Sequence, residues 1–157
     1  MNTLGIDYGD NLIGLAIADN ILAVAMPLVA FKEKTMRLDI DYVAKVCLEE
    51  TIEKIVIGLP LNMDGSEGDR ASKTRSFGEA IKKVTGLEVI YKDERLSTAE
   101  AKRGFSIFGD THNVGADNGR PNNKSIEQKQ KAKQSGELDI ASAQIILQSY
   151  LDSLRFL

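Results

Sequence analysis

The sequence predicts an α/β fold, a five-stranded mixed sheet of three antiparallel strands plus two parallel ones, with helices on both faces. Three observations carry this reading. Three strand-like runs open the chain with only short turns between them, and later apolar runs alternate with stretches of helical spacing. The resulting order, βββαβαβαα, leaves the later strands to join the sheet through right-handed crossovers.

Each element has its own warrant. Residues 3–8, 12–19 and 22–31 are rich in β-branched and apolar residues, and Gly9-Asp10-Asn11 and Asp19-Asn20 separate them as turns, so they should pair as an antiparallel meander. Met36, Ile40, Val43, Ala44 and Cys47 follow at helical spacing over 36–50. Lys54 to Leu59 contains the apolar run Ile55-Val56-Ile57 and stops at Pro60. Ala71, Thr74, Phe77, Ile81 and Val84 restore helical spacing, Gly86 closes that helix, and Leu87 to Tyr91 supplies the fifth strand. Ser97-Thr98-Ala99-Glu100 reads as a capping box for a short helix from about Thr98 to Phe105, and a last helix runs from about Glu137 to Leu154. Between them, residues 109–136 lack apolar periodicity and read as a long polar loop carrying Arg120, Lys124, Lys129, Lys131 and Lys133, expected to be mobile without a ligand.

With 157 residues, 43% of them hydrophobic, the chain fits one domain spanning 1–157. A chain of this size buries roughly 70% of its unfolded surface. A net charge of −3 excludes a surface that is basic overall and leaves room for a local basic patch. Cys47 is the one cysteine, falls within a helical pattern and has no partner, which points to a reducing compartment. A cytoplasmic location and no membrane span are the expectation.

Three acids stand in unusual places. Asp7 is a lone carboxylate inside an apolar segment, where desolvation costs several kcal/mol without a cation or donors to compensate. Glu94 falls where the fifth strand should end. Asp139 heads the last helix, with Ala143, Ile146 and Tyr150 following it on one flank in helical steps. Convergence of the three would suit hard divalent ions, which prefer oxygen ligands. Taken singly, each has a plainer reading: Asp7 as a hydrogen-bonded turn or edge residue, Asp139 as a helix cap or dipole partner, Glu94 as a solvent-facing partner of Arg95. Asp10 and Asp19 read as turn formers, and His112 as an exposed loop residue.

Four blocks together resemble the YqgF/RuvX family of pre-16S rRNA nucleases: Gly5-Ile6-Asp7-Tyr8-Gly9 with Ile13-Gly14-Leu15-Ala16; Ile57-Gly58-Leu59-Pro60-Leu61-Asn62-Met63-Asp64-Gly65; Asp93-Glu94-Arg95-Leu96-Ser97-Thr98-Ala99-Glu100-Ala101; and Asp139 with Ala143 to Tyr150. The second and third blocks are the specific ones, since the first also fits other members of the ribonuclease-H-like superfamily. The resemblance implies an RNase H-like fold and assigns Asp7, Glu94 and Asp139 as the catalytic and metal-binding triad. Where family members carry a Lys-Arg pair after the first strand, this chain has Asn11-Leu12, and its polar loop is longer than the family pattern.

On this basis the triad would hold two Mg²⁺ or Mn²⁺ ions for in-line hydrolysis of a phosphodiester, with no histidine or serine nucleophile required. Arg95, Arg75 and Lys73 are the candidate phosphate contacts, and Asn62 is a further candidate substrate contact in a loop that fits a plain turn equally well. The expected partner is nucleic acid, precursor rRNA ahead of junction DNA, and the expected state a monomer, with the apolar tail Leu154, Phe156 and Leu157 as a conceivable dimer surface. Three functions stand: a ribonuclease acting on the 5′ end of precursor 16S rRNA, a Holliday-junction resolvase, and a non-catalytic nucleic-acid or transcription-complex binding protein. A nucleotide phosphohydrolase is excluded, because 157 residues cannot supply two lobes around a nucleotide and no Walker Gly-Lys-Ser/Thr pattern occurs.

Overall fold

Turn chemistry sets the first three strands. Gly9 donates its amide to the Leu12 carbonyl at 3.0 Å, folding β1 (Asn2–Tyr8) back onto β2 (Ile13–Asp19), with Asn2 opposite Asp19 and Tyr8 opposite Ile13. β2 pairs antiparallel with β3 (Ala25–Phe31). β3 starts three residues later than the sequence predicts, for a physical reason. The Asp19 carboxylate accepts from the amides of Ile21 and Leu22 at 2.7 and 3.2 Å, and Ala23 adopts a left-handed φ of 51°, so residues 20–24 form a turn. The computed structural model describes residues 2–95 and 124–155, with side chains from 136 in the second segment.

Thr35 caps α1 (Met36–Glu49), accepting from the Leu38 amide at 3.3 Å. The chain then enters β4 (Ile52–Leu59), which lies parallel to β1. α2 (Asp69–Thr85) ends at Gly86, whose φ of 70° is the left-handed cap that glycine adopts without strain. β5 (Glu88–Asp93) joins β4 in parallel and runs two residues past the predicted end. The sheet order is β3-β2-β1-β4-β5, three antiparallel and two parallel strands as expected.

Strand alternation divides the core in two. Leu4, Ile6, Ile13, Leu15, Ile55 and Ile57 face α1 and α2 and pack on Val43, Phe77 and Ile81. Ala16, Ala18 and Val56 face the last helix, α3 (Lys124–Arg155), and pack on Ala143, Ile146, Leu147 and Leu151. Helices therefore cover both faces. Cys47 is buried in the first core, which pushes its thiol up to about 11 and keeps it unreactive.

The largest departure from expectation is α3, which begins at Lys124 rather than near 137. The segment 127–134 consists of Glu, Gln, Lys and Ala, all strong helix formers without an apolar stripe, so propensity extends the helix where periodicity gave no signal. Residues 124–136 of the expected loop are thus helical. The expected helix from Thr98 to Phe105, His112, Arg120 and the remainder of the loop lie outside the described residues, as do Phe156 and Leu157. Among the described residues no helix is long and apolar enough to cross a membrane.

Candidate active site

The alternation that sends Leu4 and Ile6 toward α1 and α2 sends Gly5 and Asp7 toward α3. At Gly5 a Cβ would stand 2.7 Å from the Leu147 Cβ, so α3 lies directly on the strand. Asp7 is two residues further along the same face, and its cross-strand partner on β2 is Gly14. A Cβ at Gly14 would overlap the Asp139 carbonyl, which shows that α3 passes over β2 at this point. On the other side, Ile6 pairs with Ile57, so Gly58 flanks Asp7 on β4. A Cβ at Gly58 would overlap the Glu94 carboxylate and would stand 2.5 Å from Ile146 Cδ1. Two glycines thus clear the space beside Asp7, one filled by the Asp139 backbone and the other by the Glu94 side chain.

Glu94 sits one residue past β5 and donates its amide to the Leu59 carbonyl at 3.2 Å, prolonging the ladder of β4 and β5. It shares the parity of Ile90, which packs against the α3 core. Asp139 lies in the interior of α3, more than four turns from Lys124, so a helix cap or dipole role does not apply to it. The expected flank holds: Ala143, Ile146 and Tyr150 are all buried.

The electrostatics follow from this packing. Burial, reinforced by the Asp139 charge, pushes the Asp7 carboxyl up to about 6, while Arg70 and a side-chain hydrogen bond from Ser142 oppose the rise. Burial, then the charges of Asp7 and Asp93, pushes Glu94 up to about 7, again against Arg70. Asp7 is therefore the shared member of two repelling pairs. Among the described residues no three acidic, histidine or cysteine side chains close around one metal-sized point. The fit to a divalent cation lies in the donor set: half-buried hard oxygen ligands that repel one another, with the Gly58 gap leaving room for the Glu94 carboxylate beside Asp7.

The basic residues expected at the substrate are mostly engaged elsewhere. Arg95 holds Asp93, with Nε 3.1 Å from Oδ1 and Nη2 2.7 Å from Oδ2, and its Nη1 donates to the Met63 carbonyl at 3.5 Å. Arg75 holds Glu67 through Nε at 2.8 Å and stacks 4.7 Å over the Tyr91 ring. Lys73 faces Asp10 at 3.5 Å, both exposed. Asn62 donates to Ser66 Oγ at 2.9 Å. Sequence reasoning missed the cation that acts on the acids, Arg70. It is exposed in the first turn of α2, and it has no ion pair among the described residues. One signal was available: a cation in a helix's first turn opposes the helix dipole and calls for a reason. Ser142 was also missed, although it lies one helical turn beyond Asp139.

Known proteins resemble this chain in sequence and in fold. The chain matches a relative from Caldanaerobacter subterraneus with 36% identity over 153 residues, covering 98% of this chain and 97% of the relative. Another from Anaeromyxobacter is 37% identical over 153 residues, covering 97% of each. Both bear the name "putative pre-16S rRNA nuclease". In fold it is similar to Thermus thermophilus RuvC in complex with a Holliday junction substrate, at a TM-score of 0.56 and 16% identity over 99% of this chain and 96% of that one. The Fowlpox virus resolvase bound to junction DNA gives 0.54 and 15%, over 98% and 99%. These likenesses show the RNase H-like fold. A family model described as "RuvX: Holliday junction resolvase" matches residues 1–117, and on that match and those relatives the chain belongs to the RuvX (YqgF) family.

Proposed function

We propose that the protein is a divalent-metal-dependent endonuclease that hydrolyses phosphodiesters in nucleic acid, with the 5′ end of precursor 16S rRNA as its substrate. The observation that carries this reading is the Gly14-Asp7-Gly58 row, which admits the Asp139 backbone on one side of a half-buried carboxylate and the Glu94 carboxylate on the other. The names of relatives that align over nearly the whole chain favour precursor rRNA.

Asp7, Glu94 and Asp139 would hold Mg²⁺ or Mn²⁺. Such ions, bound as a pair, supply an activated water and stabilise the leaving oxygen. The chain's own residues prepare the site. β1 fixes Asp7 at the centre, Ser142 orients its carboxylate, and Arg70 offsets the negative charge on the solvent side, where it can meet a substrate phosphate. Without a cation, burial and the Asp7 charge push the Glu94 carboxyl up to about 7, so it is partly protonated at neutral pH. Work on precursor rRNA would place the protein in the cytoplasm.

The test is single-turnover cleavage of a precursor 16S rRNA fragment by the parent, Asp7→Asn and Glu94→Gln, in Mg²⁺ and in EDTA. Cleavage that needs the metal and both acids supports the reading; cleavage indifferent to both substitutions sinks it. A second reading, junction resolution, is favoured by the family model's description and by the folds that bind junction DNA. Binding without triad-dependent cleavage would favour the third, a non-catalytic nucleic-acid binding protein.

A further inference from the structure

The loop between β4 and α2 is built as a platform. Asn62 donates its amide to the Ser66 carbonyl at 2.9 Å, and Gly65 donates to the Asn62 carbonyl at 2.9 Å with a left-handed φ of 87°. The Asp64 carboxylate accepts from the Ser66 amide at 2.9 Å and from the Ser66 hydroxyl at 2.6 Å. Leu61 and Glu67 bridge as an antiparallel pair at the base, and Glu67 holds Arg75. Every polar side chain from Asn62 to Glu67 is therefore spent inside the loop or on its neighbours. Met63, by contrast, is 93% exposed.

The platform is tied to the end of β5 through Arg95. Arg95, the residue after Glu94, lies 3.2 Å from where a Cβ of Gly65 would be and donates to the Met63 carbonyl. The loop leaves β4 two residues beyond Leu59, whose carbonyl takes the Glu94 amide, and leads into the α2 turn that carries Arg70. Single exposed apolar residues are ordinary on protein surfaces. Here the surrounding bonds hold Met63 in a tight turn whose carbonyl accepts from Arg95, the residue after Glu94, while its unbranched, polarizable thioether is exposed to solvent. Apolar side chains so held are suited to press against or between nucleobases, and phosphate-binding cations nearby complete such a contact.

We propose that Met63 is a specificity-determining residue that displaces a nucleobase next to the cleaved phosphodiester from its stacked neighbour. This rests on the nucleic-acid reading of the acid site. The base is drawn against the thioether while the adjoining phosphate lies toward Arg70. Recognition would then depend on how readily a base leaves its stack rather than on hydrogen bonds to its edge.

The experiment uses short single-stranded and hairpin RNAs with one 2-aminopurine walked along the sequence, bound to Glu94→Gln protein so that the RNA stays intact. A rise in fluorescence at one position, abolished when Met63→Ala is added and kept with Met63→Leu, is the expected result. Affinity should fall roughly two- to ten-fold in the alanine variant, as expected for losing a thioether–ring contact. Unchanged melting temperatures in both variants keep the comparison free of folding effects. An alanine variant that behaves as the parent overturns the proposal, as does a leucine variant that loses as much as alanine, or a protein that binds none of the RNAs. Base displacement by a protein whose wild-type form cleaves nothing would sink the nuclease reading and leave Met63 as the base-displacing residue of a nucleic-acid binding protein. Cleavage with no fluorescence change at any position would do the reverse.

Discussion

Gly58 and Glu94 occupy one space: the carboxylate of Glu94 lies where a side chain at position 58 would begin. Gly14 and Asp139 stand in the same relation, except that there a main-chain carbonyl fills the gap. The two glycines flank Asp7 on neighbouring strands, so the absence of two side chains sets how closely the other acids approach it.

Gly58→Ala and Gly14→Ala should therefore fail differently. At Gly58 the new methyl meets the ends of two flexible side chains, Glu94 and Ile146, which can swing away. The cost in stability should be about 1–2 kcal/mol, with a loss of cleavage activity far larger than that destabilisation explains. At Gly14 the methyl meets the backbone of α3, which cannot yield locally, so about 3 kcal/mol or more is expected. Urea melts beside single-turnover rates separate the two. Equal stability losses with activity retained in the Gly58 variant would refute the account.

Metal-free stability should fall as pH rises from about 4 to about 7. Asp7 and Glu94 have folded-state values of about 6 and about 7, above the ordinary carboxylate range. Between unfolded and folded values the native state binds more protons than the unfolded state, so stability declines with pH and levels off above the folded values. Asp7→Asn should remove part of that slope, on the order of 2 kcal/mol across the window, and leave the metal-free fold as stable or more so. A parent whose metal-free stability rose over the same range would contradict this.

Millimolar Mn²⁺ should raise the melting temperature of the parent at pH 7.5, because a ligand that binds only the folded state stabilises it by mass action. Asp7→Asn should abolish the shift. An unchanged shift in that variant would remove Asp7 from the ligand set.

How much of this was legible in the sequence depended on whether the signal was local. Asp7 announced itself because a charge in an alternating apolar run has a cost that can be read from its neighbours. Glu94 and the flank of Asp139 came from strand ends and helical steps, which are also local. Gly14 and Gly58 carry no such mark, since their role exists only in the register of β1 with β2 and β4. The same blindness affected the basic residues. Nothing in the composition says that Asp93 takes Arg95 and Glu67 takes Arg75, leaving Arg70 to act on the acids. The start of β3 was lost to a side chain, Asp19, that bonds the backbone into a turn, and the start of α3 to helix propensity without an apolar stripe.

Arg70→Gln should weaken RNA binding and reduce the salt slope by about one, as expected for losing one phosphate contact. It should also shift the pH window of Asp7 and Glu94 upward, because Arg70 lowers both. Arg75→Gln tests the alternative that any rim arginine contributes equally. Its guanidinium already holds Glu67 and stacks on Tyr91, so its loss should loosen the loop and leave that pH window in place. Identical effects of the two substitutions would dismiss the special place given to Arg70.

The choice between RNA and junction DNA turns on assembly as well as chemistry. A resolvase must hold two sites in fixed relation so that two strands are cut symmetrically, which demands a substantial and lasting interface between subunits. A ribonuclease that trims one strand needs no such partner. The expectation is a monomer at assay concentration that cleaves precursor rRNA in preference to four-way junctions, with Glu94→Gln abolishing the cut. Mass in solution, measured by light scattering on the samples used for cleavage, joins the two halves of the argument. Symmetric nicking of junctions by a stable dimer, lost in Glu94→Gln and unaccompanied by RNA cleavage, would transfer the chemistry derived from Asp7, Glu94 and Asp139 to DNA.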